Sequence, residues 1–163
     1  MERPCRTLNV RSIERGDAKA LLGVQAESPE IAQWSRTAYE RLAQEQMAGW
    51  VAEANGSISG FVIVRQLAGD IEILNLAVRR GARRQGVGAL LFGKVVSQGK
   101  DAHVEKIYIE VRASNEVARK FYARHGFRET GRRPRYYSAP VEDALLLELT
   151  LDQLDQDDRT TGK

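Results

Sequence analysis

The sequence predicts an α/β fold with a mixed, mainly antiparallel central sheet flanked by helices, and three observations predict it. Short apolar runs that alternate with polar residues indicate strands. Segments with apolar residues at helical spacing stand between them. A continuously apolar strand is followed by a helix and another strand, which is the pattern of a parallel crossover. The predicted order is a strand, two helices, three strands, a helix, a strand, a helix and a final hairpin.

The first part of the chain is predicted to form a strand and two helices. Residues 7–12 alternate apolar and polar side chains, as a strand with one buried face does. An aspartate opens a helix rich in alanine and leucine over residues 17–25. A second helix is predicted over residues 36–47, with Ser35 as its N-cap.

Three strands and a crossover helix are predicted next. Asn55-Gly56 lies between two apolar runs, which is a strong signal for a hairpin turn. Residues 70–79 become continuously apolar and suit a central strand covered on both faces. The next helix is predicted to end at Gly99. Its apolar positions at helical spacing are Val87, Leu90, Leu91 and Val95.

The last part of the chain is predicted to hold a strand, a helix and a hairpin. The strand covers residues 106–112 and alternates isoleucine and valine with polar or aromatic residues. Ser114 or Asn115 caps the following helix. We expect Val117 and Phe121 to face the core from this helix.

Length and composition suit one compact domain. The chain has 163 residues, of which 42% are hydrophobic, and this is enough to build a core. We expect a single domain over residues 1–151 and a polar, flexible tail over residues 152–163. The net charge is only +3 and both signs are mixed along the chain, so we expect no nucleic-acid partner.

Residue usage argues against several kinds of site. The one cysteine, Cys5, allows no internal disulfide and no cysteine-rich metal site. His103 and His125 lack the spacing of metal ligands. No apolar run suits a signal peptide or a membrane span. We therefore expect no metal, no membrane partner and a cytoplasmic location.

Residues 83–88, R-R-Q-G-V-G, are the most suggestive stretch. Glycines let a ligand approach the backbone closely, and successive N–H groups at a helix start attract phosphate. Arg83 and Arg84 would add positive charges whose forked groups match phosphate oxygens. The stretch predicts a pyrophosphate-binding loop, and the alternative is a glycine-bearing loop with solvent-exposed arginines.

A nucleotide-binding module is an alternative for this loop. No Gly-Lys-Ser/Thr follows, as a Walker loop requires, and Leu91 stands where a dinucleotide fingerprint has its third glycine. Glu110 does lie near the expected distance for a ribose partner. The position of the motif in mid-chain, and the arginines ahead of the glycines, weigh against this alternative.

The run L-N-L-A-V-R-R-G-A-R-R-Q-G-V-G-A-L-L resembles the acetyl-CoA-binding motif of the GNAT superfamily of N-acetyltransferases. That motif is Q/R-x-x-G-x-G/A, which Arg83, Gly86 and Gly88 meet. The segment I-E-V-R-A-S-N-E-V-A-R-K-F-Y-A-R-H-G-F is similar to the RimI-type branch, the ribosomal-protein-alanine N-acetyltransferases. The similarity covers residues 71–149. It implies the GNAT acyl-CoA N-acyltransferase fold and acetyl transfer from acetyl-CoA to a primary amine, above all the N-terminal α-amine of a protein such as a ribosomal protein.

The resemblance implies where acetyl-CoA would bind. The loop amides would hold its pyrophosphate, and strand backbone would pair with its pantetheine arm where the two central strands splay apart. Asn115 resembles a family residue that bonds this arm, although it would also be satisfied as a helix cap. The predicted cofactor-binding residues are Leu76, Ala77, Val78, Arg83, Arg84, Gln85, Gly86, Val87, Gly88 and Asn115.

The resemblance also implies the catalytic residues. It places the general base at Glu110, where partial burial would favour proton uptake, through water. The alternative is a half-exposed glutamate paired with Arg112 or Lys106, and Glu72 could share or replace its role. Tyr122 is the candidate general acid for the CoA sulfur, against the alternative of a core tyrosine.

The predicted acceptor side combines negative charge with aromatic rings, which suits a cationic peptide N-terminus. Its candidate substrate-binding residues are Glu72, Trp34, Tyr136 and Tyr137, and Glu142 and Asp143 add charge. Cys5 stands in the wrong place for an acetyl-enzyme, so we expect direct transfer in a ternary complex. The alternatives are an acetyltransferase for a small-molecule amine and a non-enzymatic CoA- or nucleotide-binding module.

Overall fold

The structure is a computed structural model that describes residues 7–152. Cys5 lies outside the described residues, as does all but the first residue of the predicted flexible tail over residues 152–163. Within them the chain forms seven strands and four α-helices in the predicted order. None of the helices in this part of the chain is long and apolar enough to cross a membrane.

The bounds of the elements follow the predictions closely in most places. The strands are β1 (Leu8–Ser12), β2 (Met47–Ala54), β3 (Ser57–Leu67), β4 (Asp70–Val78), β5 (Lys106–Arg112), β6 (Arg128–Ser138) and β7 (Val141–Thr150). The helices are α1 (Ala18–Ala26), α2 (Arg36–Glu40), α3 (Val87–Asp101) and α4 (Glu116–Arg124). Two 3-10 turns, Arg15–Asp17 and Arg80–Ala82, complete the set.

The described chain divides into two compact units. The first unit comprises residues 7–65 and 74–95, and the second comprises residues 66–73 and 96–152. The strand order is β1-β2-β3-β4 in the first unit and β4-β5-β7-β6 in the second. The prediction of one domain over residues 1–151 stays a prediction.

The sheet is mixed and mainly antiparallel. Strands β4 and β5 run parallel, with α3 as the crossover between them, and pair through Ile71↔Ile107 and Glu72↔Tyr108. The pairs β1–β2, β2–β3, β5–β7 and β6–β7 are antiparallel. The predicted fold class is therefore confirmed.

The core of the first unit forms where α1 and α2 cover the sheet. Leu21 and Val24 of α1 are fully buried with Phe61 of β3, and the ring of Tyr39 meets that of Phe61 edge-on at 5.7 Å. The predicted hairpin turn is confirmed. Asn55 and Gly56 both have positive φ, as a type I′ turn requires.

The predicted helix over residues 36–47 is too long. Ser35 does cap it, since its hydroxyl accepts a hydrogen bond from the Ala38 N–H, but α2 ends at Glu40. The reason is strand pairing, because Met47 already lies opposite Arg65 in the β2–β3 ladder. The backbone must therefore leave the helix earlier.

Two expectations about the later helices, those on Gly99 and Val117, are also wrong. Gly99 lies inside α3 rather than at its end, and a Cβ there would stand 2.9 Å from the Leu151 Cδ1 atom, so the glycine serves packing. Leu90 is 40% exposed. Buried positions of α3 recur at every fourth residue from Val87, and Leu90 is not one of them. Val117 is 78% exposed because α4 turns the side that carries Tyr122 toward the core.

Candidate functional site

The glycine loop of the first unit leads from the 3-10 turn into α3. Gly86 has a φ of +80°, and a Cβ at this position would meet no atom within 4 Å. Arg84 and Gln85 are exposed. The Gly86 carbonyl accepts the hydrogen bond of the Leu90 N–H, so the amides of the first helical turn have no acceptor within the helix. This arrangement fits an anion such as a pyrophosphate.

The two arginines of the loop have different surroundings. Arg84 is exposed, whereas the Arg83 guanidinium donates hydrogen bonds to the Val78 carbonyl (3.0 Å), the Glu27 carbonyl (3.1 Å) and the Ser28 hydroxyl (2.8 Å). Arg83 thereby ties the loop to the end of α1. Its predicted contact with phosphate stays a prediction.

Glu27 fixes the start of the loop from the same side. Its carboxylate accepts hydrogen bonds from the Arg79 guanidinium at 3.0 Å and from the Arg80 N–H at 2.6 Å. The Arg80 hydrogen bond is the largest cause that lowers the pKa of Glu27. Arg79 also donates to the Ile58 carbonyl of β3. Sequence analysis missed this network, because a glutamate 52 residues away from its arginine carries no spacing signal.

The predicted pantetheine strand is the end of β4. Ala77 is buried, whereas Leu76 and Val78 are half-buried. Gly60 of β3 lies against this strand, so closely that a Cβ there would stand 2.8 Å from the Ala77 carbonyl oxygen. The cofactor-binding roles of these three β4 residues stay predictions.

Trp34 belongs to the first unit and packs against its core. Its ring lies 5.7 Å from that of Tyr39, and its backbone exchanges two hydrogen bonds with the Gln25 side chain. These contacts account for Trp34 as a structural residue. Its predicted contact with an acceptor stays a prediction.

In the second unit, Glu110 of β5 lies at the centre of a polar cluster. Its Oε1 atom is 2.7 Å from the Nε atom of Arg133, and its side chain is 17% exposed. The Tyr136 hydroxyl donates a hydrogen bond to Glu110. The negative charge of Glu110 is the largest cause that raises the pKa of Tyr136, and this hydrogen bond is the second largest.

The alternative partners expected for Glu110 form ion pairs with other carboxylates. Arg112 lies 3.4 Å from Glu142, and Lys106 lies 3.1 Å from Glu148. Arg133, which sequence analysis did not single out, contacts Glu110 instead. The only advance signal was its place in an arginine-rich strand, and that does not identify a partner.

Tyr137 completes the cluster. Its ring stands perpendicular to that of Tyr136 at 5.1 Å, and the Arg112 guanidinium lies over it at 4.1 Å. Burial and then the charge of Glu110 raise the pKa of Tyr137. The charge of Glu72 also acts on Tyr136. The structure thus brings four predicted residues of this unit together.

Glu142 and Asp143 make hydrogen bonds within the second unit. Glu142 accepts hydrogen bonds from Ser114 and Arg112, and the bond from Ser114 is the main reason why its pKa is lowered. Asp143 accepts from the Arg135 N–H at 2.9 Å and from the Arg132 guanidinium at 3.3 Å. Their negative charges are therefore balanced by neighbouring donors.

Tyr122 of α4 lies in the core of the second unit. It is 3% exposed, and its ring packs edge-on against Phe121 and Phe127 at 5.1 Å and 5.0 Å. Burial raises the pKa of Tyr122, so its hydroxyl is protonated at neutral pH. At the start of α4, Asn115 accepts a hydrogen bond from the Ala118 N–H, which confirms the predicted cap. The proposed contacts of both residues with acetyl-CoA stay predictions.

The described residues offer no cluster of metal ligands. Among residues 7–152, no three His, Cys, Asp or Glu side chains are grouped so that they could hold a metal ion. The expectation that no metal takes part stays a prediction.

Comparison with known proteins gives consistent matches. Residues 17–127 match the model of the Acetyltransferase (GNAT) family. The chain is 26% identical over 144 residues to the ribosomal protein bS18-alanine N-acetyltransferase of Escherichia coli K12, which covers 87% of this chain and 97% of that protein. It is 31% identical over 121 residues to an N-alpha-acetyltransferase of Sulfurisphaera tokodaii. That match covers 66% of this chain and 72% of the relative.

A solved structure has the same fold. The crystal structure of the ribosomal-protein-S18-alanine N-acetyltransferase from Escherichia coli matches with a TM-score of 0.80 and 26% identity. The match covers 89% of this chain and 94% of that one.

Proposed function

The chain belongs to the acetyltransferase (GNAT) family and is an acetyl-CoA-dependent N-acetyltransferase, and on this premise we propose that its acceptor is the N-terminal α-amine of a protein. The similarity to ribosomal-protein-alanine enzymes along nearly their whole length supports a protein N-terminus, such as that of a ribosomal protein. The cluster of Glu110 with Tyr136 and Tyr137 carries the proposal. A carboxylate beside aromatic rings suits a cationic amine.

Acetyl-CoA supplies the acetyl group as a thioester, and we assign its binding to the glycine loop and the strand before it. The amides of residues 84–88 bind the pyrophosphate, with Arg84 as a neighbouring charge. The main chain of residues 76–78 pairs with the pantetheine arm, and Asn115 adds a polar contact to the arm. The open space at Gly86 supports this assignment.

We assign the two proton transfers to Glu110 and Tyr122. Glu110 takes a proton from the acceptor ammonium, directly or through water, so that the neutral nitrogen can attack the acetyl carbon. The carbon–nitrogen bond forms as the carbon–sulfur bond breaks. Tyr122 donates its hydroxyl proton to the leaving sulfur and regains a proton from the nitrogen, which gives up its second proton as the amide forms. The acetyl group passes directly between the two bound substrates in a ternary complex, without an acetyl-enzyme.

A turnover assay with different acceptors tests the proposed substrate. Hexapeptides with a free N-terminal alanine or serine should release CoA from acetyl-CoA. The same peptides with a blocked N-terminus and one internal lysine should not react. If a panel of polyamines, amino acids and aminoglycosides reacts and the peptides do not, the chain is a small-molecule acetyltransferase instead.

Calorimetric titration tests the proposed cofactor site separately. Acetyl-CoA should bind, whereas NAD and ATP should not, and Gly86→Glu should abolish the binding. Gly56→Glu is the matched control, because Gly56 also has positive φ and open space around it but lies in the β2–β3 hairpin. Binding of NAD or ATP in place of acetyl-CoA would contradict the assignment.

A further inference from the structure

The carboxylate of Glu110 is paired with a positively charged side chain of the same unit. The Nε atom of Arg133 lies 2.7 Å from its Oε1 atom. The guanidinium also lies 5.7 Å from the centre of the Tyr136 ring. Arg133 therefore makes the two contacts that the proposed function assigns to the acceptor ammonium, one with a carboxylate and one with an aromatic ring.

The position of Arg133 on the sheet allows its guanidinium to move away from Glu110. It belongs to β6, the last strand in the order of the second unit, and the β6–β7 register shifts between Arg133 and Tyr137. Its side chain is 62% exposed, whereas that of Glu110 is 17% exposed. An ion pair with one largely exposed partner contributes little to stability, so moving the guanidinium into water costs little.

We propose that Arg133 occupies the acceptor's place on Glu110 and that the acceptor ammonium displaces it when it binds. This inference rests on the proposed function, because it takes Glu110 as the group that meets the acceptor amine. Glu110 is only slightly exposed, which limits access to its carboxylate and makes the two cations compete. A positively charged acceptor forms a new ion pair with Glu110 when it displaces Arg133. A neutral acceptor that displaced Arg133 would leave the Glu110 carboxylate without a charged partner. Arg133 is therefore a specificity-determining residue that selects for cationic acceptors and weakens their binding.

Steady-state kinetics of Arg133→Gln test the displacement. The KM for a hexapeptide with a free N-terminal alanine should fall about threefold to fivefold, the range expected for removal of an exposed ion pair. Its kcat should change by less than about twofold, and the KM for acetyl-CoA should stay the same. An unchanged or higher peptide KM would overturn the inference.

Arg132→Gln is the matched control. Arg132 precedes Arg133 on β6, is similarly exposed and pairs with Asp143 rather than Glu110. This substitution removes the same charge from the same strand, so a general electrostatic effect on peptide binding would lower KM equally in both variants. An equal fall in both would overturn the inference, whereas a fall in Arg133→Gln alone supports it.

A binding experiment separates this inference from the proposed catalytic role of Glu110. With CoA in place of acetyl-CoA, calorimetry should find that Arg133→Gln binds the alanine peptide more tightly and the N-acetylated peptide unchanged. In the double variant with Glu110→Gln, this gain in peptide affinity should vanish.

The outcomes separate the two claims. If Glu110→Gln alone keeps full turnover, the proposed base is wrong, yet tighter peptide binding by Arg133→Gln would still support displacement. If Glu110→Gln is inactive and Arg133→Gln binds no more tightly, displacement alone is wrong.

Discussion

Tyr122 combines the burial of a core residue with the chemistry of a proton donor. Its ring packs against Phe121 and Phe127, and burial raises the pKa of its hydroxyl. The hydroxyl therefore keeps its proton at neutral pH, which a general acid needs before it can act. Packing alone would be served equally well by phenylalanine, so the hydroxyl can be tested without changing the ring.

We expect Tyr122→Phe to lower kcat by about 100-fold or more, because general acid catalysis contributes roughly that much. The KM for acetyl-CoA and the free energy of unfolding should change little, since the aromatic ring remains. Tyr39→Phe is the control, because Tyr39 is also buried but its hydroxyl donates to Gln25 in the first unit. Steady-state kinetics check both variants, and an unchanged rate in Tyr122→Phe would remove this residue from the mechanism.

Single residues show which parts of the site a sequence can predict. The cap of α4 was predictable because Asn115 and its Ala118 partner are three residues apart. The partner of Arg83 was not, because Ser28 stands 55 residues away and no local pattern connects them. The partner of Glu110 also depends on how β6 returns to the sheet, so sequence analysis expected Arg112 or Lys106.

At the scale of elements, β3 and β4 approach each other closely because Gly60 has no side chain. A Cβ at Gly60 would lie 2.8 Å from the Ala77 carbonyl oxygen and 3.2 Å from the Val87 Cγ1 atom. The carbonyl belongs to strand backbone and cannot rotate away. The glycine therefore sets the distance between β3 and the strand to which we assign the pantetheine arm.

We expect Gly60→Ala to lower the free energy of unfolding by about 1–3 kcal/mol, as overpacking in a core does. It should also weaken acetyl-CoA binding, because the backbone of Ala77 must shift. Gly81→Ala is the control, since a Cβ there meets nothing within 4 Å. Urea unfolding and calorimetry measure the two effects. Equal stability of the two variants would contradict the steric argument.

The bounds of an element are predictable where local pattern and sheet pairing agree. They agree in β5, whose predicted residues 106–112 are those observed. They conflict after α2, where helix-forming residues continue but pairing with β3 begins at Met47. Periodicity also misjudged α4, because Val117 and Tyr122 lie on adjacent stripes and only packing decides which stripe is buried.

At the scale of the whole molecule, hydrogen-bonded carboxylates make stability depend on pH. Among residues 7–152, three carboxyl groups have lowered pKa values, each mainly through hydrogen bonding to one residue: Asp17 to the Arg11 side chain, Glu27 to the Arg80 backbone and Glu142 to Ser114. The first two belong to the first unit and the third to the second. Each group binds its proton more weakly in the folded chain than in the unfolded chain, so acid destabilises both units.

Asp17 gives the clearest test, because Arg11 meets its carboxylate with two hydrogen bonds, at 2.8 Å and 3.0 Å. Its folded pKa lies below the ordinary value of 3.8. The stabilisation is therefore fully present above about pH 3.8 and is lost as pH falls through the lower folded value. Asp17→Asn should cost about 1–2 kcal/mol at pH 7, after allowance for partial exposure to solvent. Urea unfolding from pH 7 to pH 2 should find this cost shrinking toward the acid end.

The control is Glu45→Gln, which replaces an exposed glutamate in the turn before β2. The free energy of unfolding of this variant should depend on pH in the same way as that of the original chain. A cost for Asp17→Asn that stays constant with pH would show that the ion pair with Arg11 is not its source.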